Sequence, residues 1–77
     1  MNTARRKSLT QIIDQLEALE ATLEDLTAEE QGALDNIPDS LAQSDRAISL
    51  QEAVDAMESA AVSLEEAREA IGTAIDA

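Results

Sequence analysis

From Leu9 onward the apolar residues recur in alternating steps of three and four, at Leu9, Ile12, Leu16, Leu19, Leu23 and Leu26. This is a heptad seam, with Leu9, Leu16 and Leu23 at one core position and Ile12, Leu19 and Leu26 at the other. Ile13 and Leu34 widen the stripe, which suits a bundle helix better than a strict two-stranded coiled coil. Glu30 falls where the next seam residue is due, and the pattern resumes in part at Ala33 and Leu34. Thr27 followed by Glu30 fits a capping box that would interrupt the helix. The same pattern starts at Ser8, Ser40, Ser49 and Ser63, so it is a poor boundary signal. The spacing predicts helix 1 over about residues 4–35, with Gly32 the place for a kink.

A second run places Leu50, Val54, Met57, Ala61, Leu64, Arg68, Ile71 and Ile75 on a seam, again in steps of four and three. Beside it stands a column of Ala53, Ala60, Ala67 and Ala74. Small residues in a column let a neighbouring backbone come close, toward the short end of the usual ~8–10 Å between helix axes. This run predicts helix 2 over about 48–76, capped either by Ser44 or by Ser49 with Glu52. The connection, residues 36–47, holds the only proline. Ile37 precedes Pro38 and is pushed toward extended geometry, so helix 1 should stop by Asn36. Pro38 and Asp39 suit the start of a short helical turn over 38–43. Ile37 and Leu41 are expected to turn inward and close the end of the core.

Two helices of matched length, roughly 40–48 Å at about 1.5 Å per residue, joined by one short connection, predict an antiparallel helical hairpin. The fold class is all-α, with residues 1–77 a single domain. The chain has no Phe, Trp or Tyr, so its core must be aliphatic and thin. Two helices alone leave the outer half of each stripe wet. A homodimeric four-helix bundle is the leading expectation, against a monomeric hairpin or one that folds on a different partner.

The 17 acidic and five basic residues give a net charge of −12. That balance argues against direct binding of nucleic acid or an anionic membrane and favours a partner with a basic surface. A dimer about 45 Å long would carry about one charge per 2 Å, near the ~1.7 Å per charge of duplex DNA. An acidic DNA mimic that occupies a basic groove is therefore the second reading. The plain reading of the same charge is solubility. Asp14, Glu17, Glu20, Glu24 and Asp25 lie off the helix 1 seam and read as a solvated face.

Nothing in the chain points to catalysis. His and Cys are absent and Lys7 is the only lysine, so no nucleophile and base are paired. Di-metal carboxylate bundles use Glu-x-x-His pairs, which this chain lacks. An EF-hand read from Asp35 fails at Ile37 and at Arg46, where ligands belong. No metal and no cofactor are expected. Asp14 and Glu17 interrupt the apolar run that would have to follow Arg5, Arg6 and Lys7 in a signal peptide. With no membrane span either, the cytoplasm is the expected location.

Arg68 is the one charge on the helix 2 seam. Either it fixes register by meeting a Glu across an interface, or it lays its stem on the seam and holds its guanidinium in water. Glu30 lies near the loop and Arg68 near the termini, so those two are not expected to pair within the chain. Arg5, Arg6 and Lys7 are expected to be neutralised by Glu65, Glu66, Glu69 and Asp76 at the same end, the alternative being a phosphate or nucleic-acid contact, which three bases without aromatics support weakly.

The connection Asn36-Ile37-Pro38-Asp39-Ser40-Leu41, followed by Ser44-Asp45-Arg46, resembles a pattern in small uncharacterised helical proteins encoded by bacteriophages and prophages. Those proteins share a basic N-terminal helix rich in Leu and Glu and an acidic Ala/Glu-rich second helix. This chain departs from the pattern at Ile37 for Met, Asp39 for Glu and Ala42 for Gln. The resemblance implies a phage setting and the host cytoplasm, where small acidic proteins often bind host proteins. It carries no activity with it. The polar rim of the connection, Asp35, Asp39, Asp45 and Arg46, is the first place to look for a partner.

Overall fold

A computed structural model describes residues 1–77. Helix α1 runs unbroken over Thr3–Asp35, a 3₁₀ turn covers Asp39–Leu41, and helix α2 covers Asp45–Asp76. The two helices pack along their length as a hairpin, in a rod of 59 × 15 × 13 Å.

Side-chain caps set both helix starts. The Asn2 side chain accepts a hydrogen bond from the Arg5 N–H at 2.8 Å, satisfying one of the orphan donors of the first turn. Ser44 does the same for the Ala47 N–H at 3.2 Å. Of the two candidate caps, Ser44 is therefore the one used, and α2 opens at Asp45, one turn before the expected residue 48. Thr27 starts no new helix. Its hydroxyl donates to the Leu23 carbonyl at 2.7 Å, a back-bond that a mid-helix Thr can make without interrupting the ladder.

The chain reverses without any residue at positive φ. The N–H groups of Ile37, Leu41, Ala42 and Ser44 bond to the carbonyls of Leu34, Pro38, Asp39 and Leu41 in turn. Pro38, which has no N–H to satisfy, sits in extended geometry just before the 3₁₀ turn. Ile37 is half-buried as expected. Leu41 corrects the expectation, being 53% exposed. The end of the core is closed instead by Ala47, 3% exposed in the first turn of α2, where starting the helix at Asp45 carries it inward.

The α2 seam lies where its spacing predicts. Leu50, Val54, Met57, Ala61, Leu64, Arg68, Ile71 and Ile75 are all buried or half-buried. The α1 seam divides. Leu9, Leu16 and Leu23 pack against α2, but the positions that alternate with them are Ile13, Glu20, Thr27 and Leu34. Ile12, Leu19 and Leu26 are left 41%, 56% and 48% exposed. The physical reason is the width of the stripe: α1 is apolar on both sides of the Leu9–Leu16–Leu23 line, and one neighbouring helix covers only one of those sides. Glu20, expected on the solvated face, is thereby brought to the seam. Only Ala47 and Val54 are buried below a tenth of their surface, so the core is as thin as the missing aromatics require.

Three outcomes follow for unfolding followed by circular dichroism. Val54→Ala removes two buried carbons and should cost about 1.5 kcal/mol or more, whereas Leu41→Ala should stay within about 0.5 kcal/mol of the parent. Ser44→Ala should cost about 1 kcal/mol and Ser49→Ala far less, because only Ser44 caps a helix. An added Cβ at Gly32 or Gly72 would meet nothing within 4 Å. Each Gly→Ala change should therefore stabilise by about 0.5–1 kcal/mol, through helix propensity and a less flexible unfolded chain.

Candidate functional site

The seam divides the hairpin surface into two flanks of opposite character. One flank is free of acids, and on it each residue precedes a seam position: Arg5, Ile12, Leu19, Leu26 and Ala33 in α1, and Arg46, Ala53, Ala60, Ala67 and Ala74 in α2. Antiparallel packing brings these two columns to the same side. On the other flank each residue follows a seam position, including Glu17 and Glu24 in α1 and Glu58 and Glu65 in α2.

A shallow groove of about 310 Å³ opens on this second flank, lined by Glu20, Glu24, Thr27, Glu58, Ala61, Val62 and Glu65. Its rim is therefore carboxylate and its floor aliphatic. Such a groove can take the stem of a Lys or Arg side chain on its floor while the cationic head meets the rim. No three carboxylates come close enough together to hold a metal ion.

Glu20 of the groove lining makes the one ion pair in the chain, with Arg68. The Arg68 Nε donates to Glu20 Oε2 at 2.8 Å and Nη2 to Oε1 at 3.4 Å, a two-pronged contact that suits the planar guanidinium. Both side chains are partly buried, 31% and 21% exposed. The hydrogen bond to Glu20 and then its charge raise the Arg68 pKa further, with Glu17 and Glu65 adding to this and desolvation opposing it. Arg68 thus neither ends in open water nor waits for a partner chain. It ties α2 to α1 in register.

The sequence reading missed this pairing because it placed Glu20 on the solvated face. In an antiparallel hairpin a charge on the α2 seam near the termini faces the first half of α1, but Glu20 joins the α1 seam only when Ile13 rather than Ile12 turns inward.

The predicted rim residues Asp35, Asp39, Asp45 and Arg46 all gather at the loop end and all are exposed. Asp35 accepts a hydrogen bond from the Gln31 side chain at 2.8 Å. None of the four lines the groove. At the opposite end, Arg5, Arg6 and Lys7 form no ion pair with Glu65, Glu66, Glu69 or Asp76, contrary to expectation. Arg6 instead donates to the Ala77 carbonyl at 3.3 Å. The acids of α2 point away on the groove flank and outer face, and Arg5 lies in the column that continues Ile12 and Leu19.

No helix is long and apolar enough to cross a membrane. No protein-family model, no curated protein and no solved structure matches the chain.

A double-mutant cycle with Glu20→Ala and Arg68→Ala should give a favourable coupling that falls only in part between low and high salt, since the pair is half-buried. Arg68→Lys should fail to restore it, lacking the fork. Additive single effects would show the pair to be energetically idle.

Proposed function

We propose that the chain is a small non-enzymatic interaction protein that acts as a helical homodimer and receives a basic protein surface on its acidic flank. The supporting observation is the sorting of its charge. Of the 17 acidic residues, Glu29 alone lies among the columns of the acid-free flank and the outer columns bordering it. The rest crowd onto the groove flank, the outer surface, the seam and the connection. Charge carried for solubility alone has no reason to be sorted in this way, and a one-sided field both steers and orients a cationic partner. The resemblance of the connection to phage and prophage proteins adds a setting, the cytoplasm of a host cell, and a host protein as the partner.

The second reading, a DNA-mimic inhibitor of a nucleic-acid-binding protein, draws on the same carboxylates. At the 59 Å length of the rod, two copies side by side would carry about one charge per 2.5 Å. This is sparser than the expected ~45 Å length would give and sparser than the ~1.7 Å of duplex DNA. The aliphatic floor of the groove, Ala61 and Val62, favours side-chain capture over phosphate mimicry.

A Lys/Arg-rich peptide titrated into labelled protein should shift the amides around Glu24, Glu58 and Glu65 first. The triple Gln variant at those positions should bind roughly tenfold more weakly. Unchanged binding by that variant would remove the groove as the site. Retention from host lysate of a nucleic-acid-binding protein that duplex DNA and raised salt both release would favour mimicry instead.

A further inference from the structure

We infer that the acid-free flank is where a second copy of this chain packs, with the two hairpins pointing in opposite directions and their Leu19 side chains meeting on the two-fold axis. This rests on the dimeric reading above and assigns the surface and symmetry it uses.

The isolated hairpin exposes too much. Its accessible surface is 5505 Å², whereas a folded monomer of 8.2 kDa should expose about 4,500 Å² by the usual scaling with mass. The excess, about 1,000 Å², is close to the ~800 Å² that one partner loses in an interface of standard size. One broad side of the rod, 59 × 15 Å, is large enough to supply it.

Charge selects the side. Each copy carries −12, so contact through the groove flank or the outer faces would press carboxylates together in a desolvated setting. The acid-free flank, whose Arg5 and Arg46 lie at its two ends, is the one surface where two copies can meet without that cost. It also carries the exposed apolar residues Ile12, Leu19 and Leu26.

Charge and spacing then select the direction. Ile12 and Leu26 are equidistant from Leu19 along α1, so a two-fold axis at Leu19 sets Ile12 of one copy against Leu26 of the other. The same operation brings Arg5 opposite Ala33 and within a helical turn of Glu29, the lone acid of the face. It also sets α2 against α2 of the other copy, where the column of Ala53, Ala60, Ala67 and Ala74 permits close approach. The basic end with Arg5, Arg6 and Lys7 meets the loop end, where Asp35, Asp39 and Asp45 outnumber Arg46. Hairpins pointing the same way would set α1 of each copy against the alanine column of the other, so that Ile12, Leu19 and Leu26 would no longer pack on one another, and would bring the two loop ends, each with Asp35, Asp39 and Asp45, together.

Sedimentation equilibrium of the wild-type chain at micromolar concentration should give twice the monomer mass. Leu19→Glu should weaken self-association by roughly a hundredfold or more, and Val62→Glu, on the groove flank, should leave the dimer intact. Loss of helical signal in Leu19→Glu where wild type is folded also supports the inference, because an isolated hairpin would tolerate a change at an exposed position. The chain has no cysteine, so single thiols report cleanly. Leu19→Cys should oxidise to a linked dimer, whereas Leu26→Cys should link only when Ile12→Cys is also present. A dimer indifferent to Leu19→Glu overturns the surface. Linking of Leu19→Cys only together with Ala67→Cys overturns the direction. A wild-type monomer removes the dimeric reading and this inference together, but leaves the acidic flank to be judged by its own peptide titration.

Discussion

One seam per helix is all that a two-helix hairpin can bury, and every other feature of this molecule follows from how that seam is spent. In α2 the stripe is narrow and is used whole, from Ala47 through Val54 to Ile75. In α1 the apolar stripe is wider than its only neighbour can cover, so Ile13 and Leu34 go inward while Ile12, Leu19 and Leu26 stay outside. A thin aliphatic core makes this division consequential, because no aromatic side chain is present to bridge from the seam to a flank.

The Glu20–Arg68 pair explains why α1 adopts this phase. With Glu20 on the seam, the guanidinium of Arg68 finds a carboxylate at 2.8 Å. With Leu19 there instead, Arg68 would lie on an apolar seam without a partner, an arrangement penalised far more than a paired one. The polar seam residues are each accommodated in their own way: Thr27 by the Leu23 carbonyl, Glu20 by Arg68, and Glu30 by remaining half-exposed near the loop. None of these makes the core stronger than leucine would. Together they favour one rotational setting of α1 over the alternative, which is how a hydrophilic contact on a seam gives specificity.

This also accounts for what was legible in the residues. The two helices, the stop at Pro38 and the α2 seam can be read directly, because each rests on a local rule or on a single unambiguous phase. The α1 seam could not be read so directly, because hydrophobicity alone prefers Ile12, Leu19 and Leu26 to Ile13, Glu20 and Thr27. The preference reverses only when the position of Arg68 in the other helix is taken into account, and that is long-range information. Leu41 is a similar case. Its spacing from Ile37 suggested an inward turn, but the cap at Ser44 starts α2 early enough for Ala47 to fill the space.

The two flanks are best understood as one device. A chain with net charge −12 repels its own copies, and that repulsion is strongest where carboxylates are drawn out of water into a contact. Segregation removes the difficulty, because the proposed dimer meets through columns whose one acid is Glu29 and turns both acidic flanks outward. There they are separated by the thickness of two hairpins, each 13–15 Å across, well beyond the ~8 Å over which exposed charges act at physiological salt. The same separation gives the proposed dimer two grooves that face away from each other. Each is lined in part by Glu20, the acid that pairs with Arg68, and each can take a basic surface without competing with the other. On this view the acidity is tolerable for assembly because it is sorted, and useful for binding for the same reason.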